Sequence, residues 1–178
     1  IVKGIDKSRD ESLFEIPDTR EGWVESLKVL LESHFHGTAP IKFDYTKIRP
    51  EGASIAGFGG VSSGHKPLLE VHQNIGKILD KNKNEPISIT TIVDIMNLIG
   101  KCVVAGNVRR TAEIVFGDPQ SEEYINLKNY KKNPNREQFG WTSNNSVFAE
   151  LGQDYTEIAE RIKDNGEPGL AWLENMKH

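Results

Sequence analysis

The chain has only one cysteine, Cys102, and this scarcity excludes two kinds of chemistry within its 178 residues. One cysteine cannot form an internal disulfide, and it cannot supply a multi-cysteine metal site. Cys102 stands in the apolar run Ile99-Gly-Lys-Cys-Val-Val-Ala105, and cysteine is among the most often buried residue types. We therefore predict that Cys102 is a small core residue, and we assign no catalytic residue to this chain.

Three further absences limit the partners of the protein. No apolar run reaches the roughly 18 residues of a membrane span, and no signal-peptide pattern is present, so we expect no membrane contact and a cytoplasmic location. The net charge is −4, and Lys and Arg do not cluster as duplex nucleic acid requires. There is no internal repeat or low-complexity tract. The 37% hydrophobic and 27% charged residues are typical of a soluble globular protein.

The spacing of apolar residues predicts an α/β chain of several helices and a few short strands. Asp18 is expected to cap the first helix, with Glu21 completing a capping box, and Gly37 to end it. The third helix has apolar residues all round and is expected to be buried on most sides. Residues 130–138 are charged and contain a proline, so we expect a mobile excursion. The predicted helices cover residues 18–37, a stretch that starts near residues 65–67 and closes at residues 81–84, and residues 88–104, 121–129 and 154–164. The predicted strands cover residues 41–45, 111–116 and 141–149.

Two glycine-rich turns, 41 residues apart, are the most informative feature of the sequence. The first is Gly57-Phe-Gly-Gly-Val-Ser-Ser-Gly64, and the second is Ala105-Gly-Asn-Val-Arg-Arg-Thr111. Glycines let backbone N–H groups approach an anion closely, and a helix start after the first turn adds a partial positive charge. The second turn places two guanidinium groups beside a flexible Gly-Asn step. Together the turns predict a nucleotide-sensing pair.

At these residues the sequence resembles the catalytic chain of ribonucleotide reductases, and most closely the monomeric, adenosylcobalamin-dependent ribonucleoside-triphosphate branch. The resemblance also runs through Asp18-Thr-Arg-Glu-Gly-Trp-Val-Glu-Ser-Leu27, Phe43-Asp-Tyr-Thr-Lys-Ile-Arg-Pro-Glu-Gly52 and Ser143-Asn-Asn-Ser-Val147. Members of this family are several times longer, so the chain is expected to be a fragment. Its fold is expected to be part of the ten-stranded α/β barrel of the family. Residues 1–17 would be the end of an insertion or linker, and residues 18–178 part of the barrel domain.

The resemblance implies a role for each glycine-rich turn. A deoxynucleoside triphosphate effector would bind through its deoxyribose hydroxyl to Asp18 and through the first turn and the following helix. The second turn would be a specificity loop between the effector base and the substrate base. The effector-binding residues implied are Asp18, Gly57, Gly59, Gly60, Ser62, Ser63, His65 and Lys66, and the specificity-loop residues are Gly106, Asn107, Val108, Arg109, Arg110 and Thr111.

The resemblance also implies the reaction and the partners of the full-length protein. The enzyme would replace the ribose 2′-hydroxyl of a ribonucleotide with hydrogen by radical chemistry and so supply deoxyribonucleotides for DNA replication. Adenosylcobalamin would bind outside this segment, and a thioredoxin-type protein would supply electrons. The radical and redox cysteines of the family lie elsewhere, so this segment alone is expected to be inactive. A monomer is favoured over a dimer, because an insertion replaces the partner in this branch.

Several readings of the residues stay open at this stage. The chain could instead be a non-enzymatic nucleotide-binding or helical interaction module, with Trp23 and Leu27 on a partner-binding face, or a reductase with a different radical source. Asp18 could be only a helix cap, and Arg49 could form a structural ion pair with Asp44. His34, His36 and His72 have no metal-ligand spacing with other ligands, so no metal site is predicted.

Overall fold

The computed structural model of the chain describes residues 1–57, 59–106 and 109–177. It divides into two units, residues 1–91 with 101–110 and residues 92–100 with 111–178. The predicted α/β class, with mostly helices and a few short strands, is confirmed. No helix in the described ranges is long and apolar enough to span a membrane.

The first unit begins with a two-stranded parallel sheet and a long helix. Strand β1 spans Ser12–Glu15, helix α1 spans Arg20–His36 and strand β2 spans Ile41–Asp44. The two strands pair in parallel from Ser12 opposite Ile41 to Glu15 opposite Asp44. Helix α1 ends at Gly37 as predicted, because φ of 68° there is left-handed and suits a residue without a Cβ. The sequence did not predict β1, whose four residues carry no clear alternation.

Helix α2, Lys66–Lys81, packs against α1 with one apolar stripe. Pro67 lies in its first turn, where the missing N–H costs nothing. The buried residues of the stripe are Leu68, Val71, His72, Ile75 and Leu79. Leu68 also joins Ile16 and Ile48 in a small core that closes over the sheet. The predicted amphipathic helix is therefore confirmed.

Helix α3, Ile89–Val104, contributes residues to both units. Its N-cap is Ser88, whose hydroxyl accepts the Thr91 N–H at 3.1 Å. The expectation that α3 is buried on most sides is wrong for the described residues, because one apolar face stays exposed. The exposed side chains of this face are Ile89, Ile92, Met96 and Val103. Apolar residues on all sides of a helix indicate that every face could be buried. Which faces are buried depends on the elements that pack against the helix.

The second unit is built on a three-stranded parallel sheet. Strand β3 spans Glu113–Gly117, β4 spans Ser143–Ala149 and β5 spans Gly169–Trp172, with β4 in the centre. The short helix α4, Glu122–Ile125, follows β3, and α5, Thr156–Asn165, follows β4. Strand β5 was not predicted, and the helix predicted over residues 121–129 is confined to α4, with turns after it. The buried core comprises Val93, Tyr124, Ile125, Leu127, Val147 and Ile158.

The prediction of a mobile excursion over residues 130–138 is wrong. Residues Pro134–Gln138 form a 3-10 helix, and Arg136 is only 5% exposed. Its guanidinium contacts one carboxylate oxygen of Asp94, with Nε at 2.6 Å and Nη2 at 2.5 Å, and also donates to the Leu127 carbonyl. A charged stretch that contains a proline is typical of a surface loop. The local sequence does not reveal the buried position of Arg136, because its partner Asp94 lies 42 positions away.

Candidate functional site

Asp18 lies just before α1, but it does not cap the helix. The N-cap is Thr19, whose backbone is extended and whose Oγ1 accepts the Gly22 N–H at 2.9 Å. Asp18 instead accepts a hydrogen bond from Arg49 Nε on its Oδ2 at 2.6 Å. The predicted capping role of Asp18 and its box with Glu21 are therefore wrong by one residue. Within the described residues, Asp18 Oδ1 has no hydrogen-bond donor, and the side chain is 30% exposed.

Arg49 connects Asp18 to the first glycine-rich turn. Its Nη1 donates to the Ser54 carbonyl at 3.3 Å, and its own carbonyl lies 3.5 Å from the Ser62 hydroxyl. The alternative pairing with Asp44 is wrong, because Asp44 accepts the Thr46 N–H at 2.9 Å in a local turn. Sequence reasoning missed the role of Arg49, since no local spacing links it to a carboxylate 31 residues away.

The first glycine-rich turn is the tip of a short antiparallel hairpin. Ser54 bridges to Val61, and the N–H groups of Gly59 and Ser62 donate to the carbonyls of Ile55 and Ala53. These donors, and the Gly64 N–H that donates to the Ser62 hydroxyl at 3.0 Å, are used within the turn. The turn needs glycine because φ is left-handed at Gly52, Gly59, Gly60 and Gly64.

The open part of this turn faces away from neighbouring atoms. A Cβ placed on Gly57 or Gly59 would meet no heavy atom within 4 Å, and both residues are exposed. Ser62 is buried at 9% exposure, whereas Ser63 is half-buried. The exposed glycines leave room for a ligand against the backbone, but Ser62 supports the turn from inside.

Helix α2 begins directly after the turn, and its N-terminus lacks a side-chain cap. His65 is the N-cap residue, has a helical backbone conformation and makes no capping hydrogen bond. The first-turn N–H groups of Lys66 and Leu68 therefore have no side-chain acceptor among the described residues, and they carry the partial positive charge of the helix end. His65 and Lys66 are exposed at this end, with Lys66 Nζ 3.9 Å from a carboxylate oxygen of Glu51.

A buried histidine supports this end of the unit. His72 Nδ1 lies 2.7 Å from the Tyr45 hydroxyl, and its Nε2 lies 3.1 Å from Ser26 Oγ. Because Ser26 Oγ donates to the Trp23 carbonyl, the histidine must donate from Nε2 and accept at Nδ1. Burial lowers the pKa of His72 to about 4 and raises that of Tyr45 to about 12. The Tyr45 ring also lies 5.9 Å from the His65 ring.

The second glycine-rich turn starts in contact with the first. A Cβ on Gly106, where φ is +82°, would lie 3.1 Å from Ser63 Cβ. The two turns that the sequence singled out therefore meet at these two residues. Arg109 and Arg110 are exposed and Thr111 is half-buried. Asn107 and Val108, both predicted specificity-loop residues, lie outside the described residues.

Metal and thiol chemistry find little support in the described residues. Among them, no three His, Cys, Asp or Glu side chains form a group that could hold a metal ion. His34 is buried and His36 exposed, so these two histidines lie on different faces of α1. Burial, together with the nearby charge of Glu70, raises the pKa of Cys102 to about 11. The thiol is therefore protonated at neutral pH and a poor nucleophile.

The sequence is similar to one family of enzymes. The model of the B12-dependent ribonucleotide reductase insertion domain matches residues 3–79. The chain is 61% identical over 165 residues to a protein of Dictyostelium discoideum named probable adenosylcobalamin-dependent ribonucleoside-triphosphate reductase, covering 93% of this chain and 22% of that protein. It is 55% identical over 176 residues to the adenosylcobalamin-dependent ribonucleoside-triphosphate reductase of Euglena gracilis, covering 99% of this chain and 24% of the relative.

The fold is similar to a solved structure of the same kind. A crystal structure of a B12-dependent, class II ribonucleotide reductase superposes with a TM-score of 0.81 at 35% sequence identity. The superposition covers 93% of this chain and 23% of that structure. The chain therefore spans less than a quarter of the length of the Dictyostelium relative, and less than a quarter of the length of the chain in this crystal structure. The insertion-domain match extends past residue 17, and the domain boundary expected there stays a prediction.

Proposed function

The chain belongs to the B12-dependent ribonucleotide reductases, and from this membership we propose that the full-length protein reduces ribonucleoside triphosphates to deoxyribonucleotides in the cytoplasm for DNA replication. Adenosylcobalamin, which the names of the relatives specify, would start the radical reaction. We assign its site to parts of the protein outside this segment. The cysteines that carry the reaction and receive electrons from a thioredoxin-type protein are assigned there too, because such chemistry needs a radical cysteine and a redox pair, and this segment has one cysteine, Cys102.

Within the full-length protein, this segment is proposed to bind a deoxynucleoside triphosphate effector and to set substrate specificity. The observation that carries this proposal is the meeting of three parts in one unit. Asp18 is joined by Arg49 to the hairpin of the first glycine-rich turn, and this turn leads directly into the uncapped N-terminus of α2. A nucleotide needs acceptors for its sugar hydroxyl and positive partial charges for its phosphates, and this unit offers both.

Asp18 is the proposed acceptor for the deoxyribose hydroxyl. Arg49 occupies Oδ2 of Asp18, and Oδ1 has no donor among the described residues. A carboxylate can accept at both oxygens, so the hydroxyl can bind without breaking the ion pair. The ion pair in turn holds the carboxylate in place, which lowers the entropy lost when the ligand binds.

The phosphates are proposed to bind at the start of α2. The N–H groups of Lys66 and Leu68 point along the helix axis toward this end, and anions bind such ends because of the helix dipole. Lys66 and His65 add charge or hydrogen-bond donors beside them. The exposed glycines Gly57 and Gly59 leave the adjoining backbone open. The donors already used within the turn, such as Gly59 N–H, are not assigned to the phosphates.

The second turn, through its specificity-loop residues 106–111, is proposed to report which effector is bound. Gly106 of this turn contacts Ser63 of the first turn, so a ligand that moves the first turn also changes the space available to the second. Arg109 and Arg110 are exposed, and guanidinium groups stack on bases or pair with phosphates. Different effector bases would select different conformers of this segment and therefore different substrates.

Calorimetry of the full-length protein tests the effector site. We expect a deoxynucleoside triphosphate to bind at least about tenfold more tightly than the matching dideoxynucleoside triphosphate, which lacks the 3′-hydroxyl, because a hydrogen bond to a charged group is worth about 1.5–3 kcal/mol. Asp18→Ala should remove this preference. The control, Asp10→Ala, deletes an exposed carboxylate of the same unit and should leave it intact. Equal binding of both nucleotides to the unsubstituted protein would contradict the role of Asp18.

A further inference from the structure

Glu113 is a carboxylate that the proposed site does not use, and its surroundings are unusual. It is the first residue of β3, two positions after the proposed specificity loop ends at Thr111. Its side chain is half-buried, and its carboxylate lies against Gly100 of α3. Carboxylates are seldom buried without partners, so each of its contacts bears on its role.

Three residues hold this carboxylate. Asn97 Nδ2 of α3 donates to Oε2 at 3.4 Å, and the Thr111 side chain hydrogen-bonds to the same group. Gly100, one turn further along α3, makes the approach possible, because a Cβ at that position would lie only 2.3 Å from Glu113 Oε1. Any side chain at position 100 would displace the carboxylate. We call Asn97, Gly100 and Glu113 the clasp.

Both helix residues of the clasp are there at a cost to stability. Asn97 is fully buried, and its Oδ1 has no partner among the described residues, a state that destabilises the fold. Gly100 lies inside a helix, where glycine is less favourable than alanine. Burial also raises the pKa of Glu113, although Asn97 and Thr111 oppose this rise. A site chosen only for stability would carry none of these features.

The position of the clasp in the chain suggests what it does. Helix α3 leads into the segment of residues 105–112, and β3 leads out of it. Asn97 and Gly100 lie in the second half of α3, and Glu113 begins β3, so the clasp joins the two elements that flank this segment. A loop whose ends are fixed has fewer backbone conformations than a free one. The contacts that the loop makes with a ligand can then decide which of these conformations is populated.

We propose that Glu113, held on α3 by Asn97 and Gly100, is a positioning residue that fixes the base of the specificity loop and so couples effector identity to substrate choice. This inference rests on the proposed function of the loop. The coupling between two ligands is the free energy by which one ligand changes the binding of the other. If the base of the specificity loop is released, the loop changes conformation regardless of which effector is bound, and this coupling falls. The role proposed for the clasp is limited to this coupling, so turnover without effector is expected not to depend on it.

The test uses the full-length reductase and two alanine substitutions of helical glycines. Gly100→Ala places a methyl group on the carboxylate, whereas Gly76→Ala, within α2, adds a methyl with no heavy atom within 4 Å. We measure how far each effector changes the ratio of turnover for two competing substrates. Gly100→Ala should reduce this change about tenfold, within the usual range of allosteric couplings. Turnover without effector should change less than about twofold, and Gly76→Ala should match the unsubstituted enzyme.

A second pair of variants removes the dependence on one substitution. Glu113→Ala should lose the coupling as Gly100→Ala does, and Glu113→Gln, which keeps an acceptor of the same shape, should retain most of it. Full coupling in both Gly100→Ala and Glu113→Ala would overturn the proposal. It would also be overturned if turnover without effector fell as much as the coupling, because the clasp would then be merely structural.

The outcome also separates this inference from the proposed function. If the unsubstituted enzyme binds no effector, or if its effector affinity ignores Asp18, the effector site itself is wrong. If effector affinity is normal and Asp18-dependent while Gly100→Ala and Glu113→Ala leave substrate choice unchanged, only the clasp is wrong.

Discussion

His72 is a residue whose surroundings determine its protonation. Its two ring nitrogens already have partners, Tyr45 at Nδ1 and Ser26 at Nε2. The Phe43 ring lies 4.4 Å away and excludes water from one face. A second proton on this ring would have no acceptor unless the Tyr45 hydroxyl turned round, and burial lowers the pKa of His72 to about 4.

We predict that this histidine makes the chain less stable in acid. The unfolded chain takes up the proton at a pKa near 6.5, whereas the folded chain does so only at about 4. The contribution of His72 to the free energy of unfolding is therefore fully present above the pKa of the unfolded chain. It falls by about 3 kcal/mol in total as the pH drops from that pKa to the pKa of the folded chain. Urea unfolding of the chain at about pH 7 and about pH 4 measures the loss.

The matched variants assign this loss to one residue. His72→Gln has no titrating ring and should remove most of the difference between the two pH values. His36→Gln deletes an exposed histidine of α1 and should leave the difference unchanged. If His72→Gln shows the same loss in acid as the unsubstituted chain, the buried ring is not its source.

Cys102 yields a prediction about reactivity at the same scale. Its pKa rises from 9.0 to about 11 through burial and the Glu70 charge, so the thiolate is about a hundredfold scarcer than in an ordinary thiol. Alkylation by iodoacetamide at neutral pH should be slower in the folded chain by at least this factor than in the urea-unfolded chain. Equal rates in the two states would show that Cys102 is accessible and ionised in the fold.

Among the secondary-structure elements, the 3-10 helix Pro134–Gln138 is tied to α3 by a buried ion pair. The side chains of Arg136 and Asp94 are 6% and 12% exposed. Burial raises the pKa of Asp94, and the Arg136 charge opposes this rise. Such a pair gives little net stability compared with apolar residues, but losing one partner leaves a charge buried without compensation.

Substitutions at this pair should be strongly non-additive. We expect Arg136→Met to lower the free energy of unfolding by about 3–5 kcal/mol, and Asp94→Leu combined with Arg136→Met to recover most of the loss. The control Lys131→Met removes an 83% exposed lysine of the same segment and should cost less than about 0.5 kcal/mol. Urea unfolding measures all three. A cost for Arg136→Met no larger than that for Lys131→Met would mean that the segment is not anchored by this arginine.

At the scale of the whole molecule, the insertion-domain match leads to a prediction of the oligomeric state. The insertion-domain model matches residues 3–79, and the family resemblance associates such an insertion with the monomeric branch. We predict that the full-length protein sediments as a monomer with and without a deoxynucleoside triphosphate at micromolar concentration. A concentration-dependent dimer in analytical ultracentrifugation would contradict this prediction and would direct attention to the exposed apolar face of α3.

Much of the fold could be predicted from sequence because it depends on neighbours along the chain. The stripe of α2, the left-handed stop at Gly37 and the extent of α3 all follow from residues within a few positions of each other. Strands β1 and β5, each four residues long, escaped prediction. A short parallel strand is recognisable only from the partner it pairs with.

The sequence by itself determined the family, the α/β class and the pair of glycine-rich turns. Only the tertiary structure decided that Asp18 pairs with Arg49, that Arg136 is buried on Asp94, that Ser63 meets Gly106 and that Glu113 rests on Gly100. The physical reason is the range of the interactions. Helix periodicity and turn geometry act over a few bonds of backbone, whereas ion pairs and close approaches join residues that many different chain paths could bring together or keep apart.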